Sequence, residues 1–124
     1  MHEITDPILE DYSKMPEGNW LNEFDWKSVK LGKLPFVIDG VFVAMYLAEA
    51  NKVLLENPET TEVTFDIWAT DLIHEMYHAY QRHTMGLFKY LLFKIFRRKK
   101  LEEEAENASL KWLEMNGCNI KKDF

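Results

Sequence analysis

Between Glu62 and Met85, apolar residues recur three and four positions apart: Phe65, Trp68, Leu72, Met76 and Ala79, with Ile73, Tyr77 and Tyr80 widening the stripe. That spacing is the period of an α-helix with one buried face. Thr60 or Thr61 can cap its start and Gly86 can end it. Such a helix must lie against something, so the rest of the chain has to supply a core. With 124 residues, 47% of them hydrophobic and 14% aromatic, the chain can do so. The expectation is a single domain over residues 1–124, with its core at about 34–116.

The flanking segments define the company this helix keeps. Residues 34–39 and 41–47 are rich in β-branched and aromatic side chains around Gly40, and Lys52–Glu56 is a second apolar run. They read as two or three antiparallel strands in a meander, turning near Glu49–Asn51 and closed by Asn57-Pro58. A helix across Val41–Glu56 is the competing reading, because Ala, Met, Leu and Glu tolerate helices. Downstream, residues 87–100 read as a short helix, apolar at Phe88, Leu91, Leu92, Ile95 and Phe96 and closing in four basic residues. A further helix runs from Leu101 to Met115 and stops at Asn116-Gly117, leaving a frayed tail. Residues 1–33 are mixed and polar, an irregular segment anchored by Trp20, Phe24 and Trp26. The fold class expected is α+β: a small antiparallel sheet packed on the long helix, with the last helix on its far side.

Charge and cysteine content narrow the function. A net charge of −6 argues against nucleic-acid binding, which needs a basic face. Cys118 is the only cysteine, so neither a disulfide framework nor a cysteine-based metal site is available. The start, Met1 to Pro7, lacks the basic and apolar regions of a signal peptide, and no apolar run reaches the length of a spanning helix. A cytoplasmic protein is the expectation.

The long helix carries His74-Glu75-Met76-Tyr77-His78. Residues four apart stand one above the other on a helix, so His74 and His78 can grip one ion together. Glu75 is rotated by about 100° from His74 and stands beside the ion without ligating it. There it can take a proton from a water whose pKa zinc lowers to about 7. With four histidines and fourteen glutamates, the pattern arises by chance somewhere in such a chain with a likelihood on the order of 1%. Asp71, one turn before His74, is placed to orient a ligand imidazole.

A hydrolytic zinc site needs a third protein ligand and an open fourth position. The metzincin pattern would put histidine at Thr84 and glycine at Gln81, and the deformylase arrangement would need an upstream cysteine, so both fail. His83 projects from the opposite side of the helix from His74. An acidic helix follows, Leu101-Glu102-Glu103-Glu104-Ala105-Glu106. His-Glu-x-x-His followed some twenty residues later by Glu102-x-x-Ala105 resembles gluzincins, especially the minimal ones of bacterial and phage genomes, over roughly residues 41–115. The resemblance implies Glu102 as third metal ligand and Glu106 as the acid that supports a ligand histidine. Helix geometry agrees independently. Leu101, Ala105, Ala108 and Trp112 form the apolar stripe, with Glu102 on one border and Glu104, the rival ligand, on the other. Ala105, Ala108 and Ser109 are small enough to let this helix approach the metal helix closely.

The resemblance implies a zinc metallopeptidase acting on a peptide or protein substrate. Zn2+ would be held by His74, His78 and Glu102, with Glu75 as general base. Two other readings remain: a catalytically silent zinc domain that serves as a binding module, and a membrane-surface module built on Leu87–Lys100. For that basic, apolar segment the preferred expectation is a connecting helix whose stripe packs on the core and whose basic end faces Glu102–Glu106.

Overall fold

A computed structural model describes residues 2–34, 44–61 and 63–116. The described residues form four α-helices, α1 (His2–Ser13), α2 (Phe65–Met85), α3 (Leu87–Phe96) and α4 (Arg98–Asn116), and a three-stranded sheet of β1 (Lys30–Lys33), β2 (Ala44–Leu47) and β3 (Lys52–Leu55) that packs on α2. The architecture is α+β and mostly helical. β2 and β3 form the expected antiparallel hairpin, with Tyr46 opposite Val53. Asn51 takes a positive φ of 48° in the turn, a conformation asparagine tolerates, and its side chain accepts a hydrogen bond from the Tyr46 hydroxyl. Residues 35–43, which carry the first expected strand and the start of the second, lie outside the described residues, as does the tail from Gly117.

The sheet differs from a pure antiparallel meander. Its order is β1-β3-β2, and β1 pairs parallel to β3, Leu31 opposite Val53. Lys-Leu-Gly-Lys has no alternation that marks a strand. Its pairing is made by backbone groups that any four extended residues could offer.

The N-terminal segment is also more regular than expected. α1 places Thr5, Leu9 and Tyr12 on one buried face, with Ile4 and Ile8 beside them. Pro7 inside the helix and the polar residues between these positions obscure the period. A 3-10 helix over Pro16–Glu23 follows and buries Trp20 and Leu21. Gly18 passes so close to the Tyr12 backbone that a β-carbon there would overlap its carbonyl. Tyr12 in turn donates a hydrogen bond to the Ala108 carbonyl of α4 at 3.0 Å, tying the two ends of the described chain together.

α2 runs through the centre. Trp68, Ala69, Leu72, Ile73, Met76 and Ala79 are buried, whereas Phe65 is exposed and does not belong to the buried face. Its cap is Thr64, whose hydroxyl accepts the Ile67 N–H, rather than Thr60 or Thr61. Trp68 donates its indole N–H to the Glu56 carbonyl at 2.8 Å, which fixes the hairpin against α2. Gly86 ends the helix at φ 85°, a value that favours glycine. α4 lies along α2 through Leu101, Ala105, Ala108, Ser109 and Trp112, all buried. The small side chains at 105, 108 and 109 allow that close approach.

The helix break falls at Arg97, three residues earlier than expected, so Arg98–Lys100 form the first turn of α4. Cations at a helix N-terminus oppose the macrodipole, which is why a boundary after Lys100 reads better from sequence. α3 meets the rest of the protein through Tyr90, with Leu87, Leu91 and Phe93 part-buried. Phe88, Leu92, Ile95 and Phe96 are exposed, so the expected packing of that stripe on the core fails for all but Leu91. Among the described residues, no helix is long and apolar enough to cross a membrane.

Candidate metal centre

The α2–α4 contact brings three side chains to one point. His74 Nε2 lies 3.0 Å from Glu102 Oε2, and His78 Nε2 lies 3.3 Å from Glu102 Oε1. One donor atom from each of the three falls within 4.8 Å of the others. The two imidazoles meet edge to face, their centroids 4.9 Å apart. For a first-row divalent cation with bonds of about 2.0–2.2 Å, tetrahedral angles set donor atoms roughly 3.3 Å apart. The spacing of His74, His78 and Glu102 therefore suits such a cation.

A stronger test of fit comes from hydrogen-bond roles. Gln81, buried on α2, donates its amide N–H groups to the Leu101 carbonyl at 3.0 Å and to Glu104 Oε1 at 3.1 Å. Those two acceptors orient the amide so that Gln81 Oε1 faces His78 Nδ1 at 2.8 Å. His78 must then carry its proton on Nδ1, leaving Nε2 as a bare acceptor. Burial lowers the His78 pKa, which disfavours a second proton on Nε2. A bare nitrogen thus faces a carboxylate oxygen, two acceptors with nothing between them to share. A cation satisfies both at once.

The two candidate third ligands separate here. Glu102 reaches both histidines, while Glu104 points to Gln81 and supports His78 at one remove. Glu106 is exposed and, among the described residues, touches neither histidine. The supporting role that the resemblance gives to Glu106 is occupied in this geometry by Gln81. The sequence does place Gln81 three residues after His78 on the same helix. Its partners twenty and more residues away could not be read from that spacing. His83 is exposed, its ring tilted against Phe24 at 5.8 Å between centroids, and it takes no part in the cluster.

Glu75 stands beside the cluster, its Oε2 3.8 Å from His74 Nε2. Burial, then the negative charges of Glu102 and Asp71, push its pKa up to about 8, against smaller opposing effects from the Tyr46 backbone N–H and Lys94. A cation on the neighbouring ligands would pull that value down, because it favours the carboxylate. Asp71 is likewise raised, to about 6, by burial, and His74 acts in the other direction. Among the described residues no hydrogen bond joins the two.

Four of the five tyrosines, Tyr46, Tyr77, Tyr80 and Tyr90, lie on or near α2 and its neighbours and separate as well. Tyr46 is engaged with Asn51, Tyr77 packs on Trp20, and Tyr80 donates to Glu23. Tyr90 alone lies against a cluster histidine, its ring 6.4 Å from that of His78, and burial raises its pKa, so it keeps its proton at neutral pH.

Fold and cluster together describe a small α+β protein with a candidate His-His-Glu metal centre on two packed helices. The chain matches no family model, no curated protein and no solved structure.

The ligand assignment has a direct check. Glu102→Gln is expected to lose most of the bound metal on elemental analysis, and His83→Ala none. Glu104→Gln should retain the metal at weaker affinity, because its effect passes through Gln81 and His78 (about 10-fold, up to about 100-fold, for loss of a supporting partner). An empty site in Glu104→Gln beside a full one in Glu102→Gln would reverse the assignment.

Proposed function

We propose that the protein is a zinc-dependent peptide-bond hydrolase. The observation that carries this reading is the juxtaposition of a part-buried carboxyl, Glu75, with three metal-competent side chains it does not need to join. A purely structural site has no use for such a neighbour. Nitrogen donors from two histidines and one carboxylate suit zinc, and three protein ligands leave a position open. When bound, zinc supplies a Lewis acid that polarises a scissile carbonyl and makes water acidic enough to attack at neutral pH.

The protein's own residues do the rest. Glu75 takes the proton from the attacking water and returns it to the leaving amine as the C–N bond breaks. Gln81 and Glu104 hold the His78 ring in the tautomer that presents Nε2. β2 is an outer strand of the sheet among the described residues, and its Tyr46 amide faces Glu75. An extended peptide lying alongside β2 would cross the His74–His78 face of α2, with backbone hydrogen bonds supplying much of its binding.

The test is turnover of unfolded proteins and short peptide libraries by protein of measured zinc content. Cleavage that chelation abolishes and zinc restores is the expected result. A full zinc site with no turnover across broad libraries would instead make this a metal-binding module, and the hydrolase reading would be withdrawn.

A further inference from the structure

α3 has two faces with different chemistry. One is turned inward, with Tyr90 against Tyr46 and His78, and Lys94 within electrostatic reach of Glu75. The other carries Phe88, Leu92, Ile95 and Phe96, spaced i, i+4, i+7 and i+8, a single helical stripe. These four are 78%, 42%, 72% and 78% exposed. Scattered exposed apolar residues are ordinary, but a contiguous stripe of two phenylalanines, a leucine and an isoleucine on one ten-residue helix is not.

The surroundings of the stripe say what covers it. Lys89 flanks it, and Arg97, Arg98, Lys99 and Lys100 follow its C-terminal end, all exposed. Among the described residues, Arg97, Arg98 and Lys100 make no ion pair, and Lys99 meets Glu103 only at 3.9 Å between two largely exposed side chains. The acidic run on α4 therefore does not neutralise them. Arg98–Lys100 also occupy the first turn of α4, where the helix dipole adds positive potential. In a chain of net charge −6, this cluster is a local reversal of sign.

We infer that the outer face of α3 docks on an anionic lipid bilayer: Phe88, Leu92, Ile95 and Phe96 enter the headgroup–acyl boundary, and Lys89 and Arg97–Lys100 meet the lipid phosphates and carboxylates. An amphipathic helix bordered by cations lies in the interface plane with its apolar face buried to about 5–10 Å. Attachment through such a helix is peripheral and reversible. The inward face of the same helix packs on His78, so docking holds the candidate metal centre about one helix diameter, ~10 Å, from the lipid surface. This inference does not depend on turnover at that centre.

The test is co-sedimentation of the intact, zinc-loaded protein with vesicles of phosphatidylcholine alone or with about 30% phosphatidylserine, in about 50 mM and about 500 mM salt. Binding only to the anionic vesicles, weakened by salt, is expected. The double variant Phe88→Glu, Ile95→Glu should abolish it, and replacing Arg97, Arg98, Lys99 and Lys100 by glutamine should weaken it at least about 100-fold. All six side chains are exposed, so zinc content and thermal midpoint should stay at wild-type values. Failure of the wild type to sediment with anionic vesicles at low salt overturns the inference. So does equal binding to phosphatidylcholine alone. A concentration-dependent dimer that the Phe88, Ile95 variant abolishes, without vesicle binding, overturns it in favour of a second copy on that face.

Discussion

Replacing Glu75 with glutamine is expected to lower the rate of peptide cleavage by at least about 10²–10⁴-fold, the usual effect of removing a general base. The zinc content should remain near wild type, because Glu75 stands outside the His74, His78, Glu102 cluster and glutamine has nearly its shape. The thermal midpoint should not fall. In the metal-free protein at pH 8 it should rise, since glutamine removes a part-buried carboxyl that would otherwise have to ionise. Parallel loss of zinc and activity would mean that Glu75 is a ligand. A wild-type rate in Glu75→Gln would place the base elsewhere.

Removing the metal is the second large effect. The ion would join α2 to α4, and a ligand that binds only the folded state stabilises it by mass action. At free zinc about 100 times the dissociation constant this is worth ~2.7 kcal/mol. For a domain of this size that corresponds to roughly 10 °C in thermal midpoint. Chelation should lower the midpoint by about that much, and zinc should restore it. His78→Ala should resemble the chelated protein and gain nothing from zinc. An unchanged midpoint in protein shown to be metal-free would mean that the α2–α4 packing suffices alone.

The same measurement has a pH dependence of defined sign. In the metal-free protein the Glu75 pKa is raised from 4.5 to about 8, so the folded state holds a proton that the unfolded state releases. Stability from this group is therefore present at low pH and lost as pH rises toward 8, by at most about 1.4 kcal/mol per pH unit. Asp71, raised to about 6, acts in the same direction at lower pH. His78, lowered by burial, acts oppositely, but only below its ordinary value of 6.5. Between about pH 6.5 and 8 the chelated wild type should lose stability, and Glu75→Gln should flatten the curve. Zinc competes with protons for its ligands, so the gap between loaded and chelated protein should widen over that interval.

The sequence alone determined what is local. Apolar period and the Gly86 stop place α2, and the four-residue interval puts His74 and His78 on one face with Glu75 beside them. The stripe Leu101, Ala105, Ala108, Trp112 and the small residues within it mark the face of α4 that packs, and leave Glu102 and Glu104 as neighbours of that face. The Ala-Glu-Ala-Asn turn between two β-rich runs marks the hairpin. All of these are short-range consequences of side-chain size, branching and helical geometry.

Only the tertiary structure decided between alternatives that local geometry leaves equal. Glu102 and Glu104 border the same stripe symmetrically, and the rotation of α4 against α2 turned one toward both histidines and the other toward Gln81. Gln81 gained its place from the Leu101 carbonyl and Glu104, contacts that span twenty residues or more. β1 exists because the open edge of β3 needed backbone partners, and backbone pairing leaves no signature in four residues of sequence. The α3 stripe shows the same limit most plainly. Its period predicts an apolar face correctly, but period cannot tell which side of a helix the rest of the chain will cover. The inward turn of Tyr90 onto Tyr46 and His78 settled that, and left the phenylalanines outside.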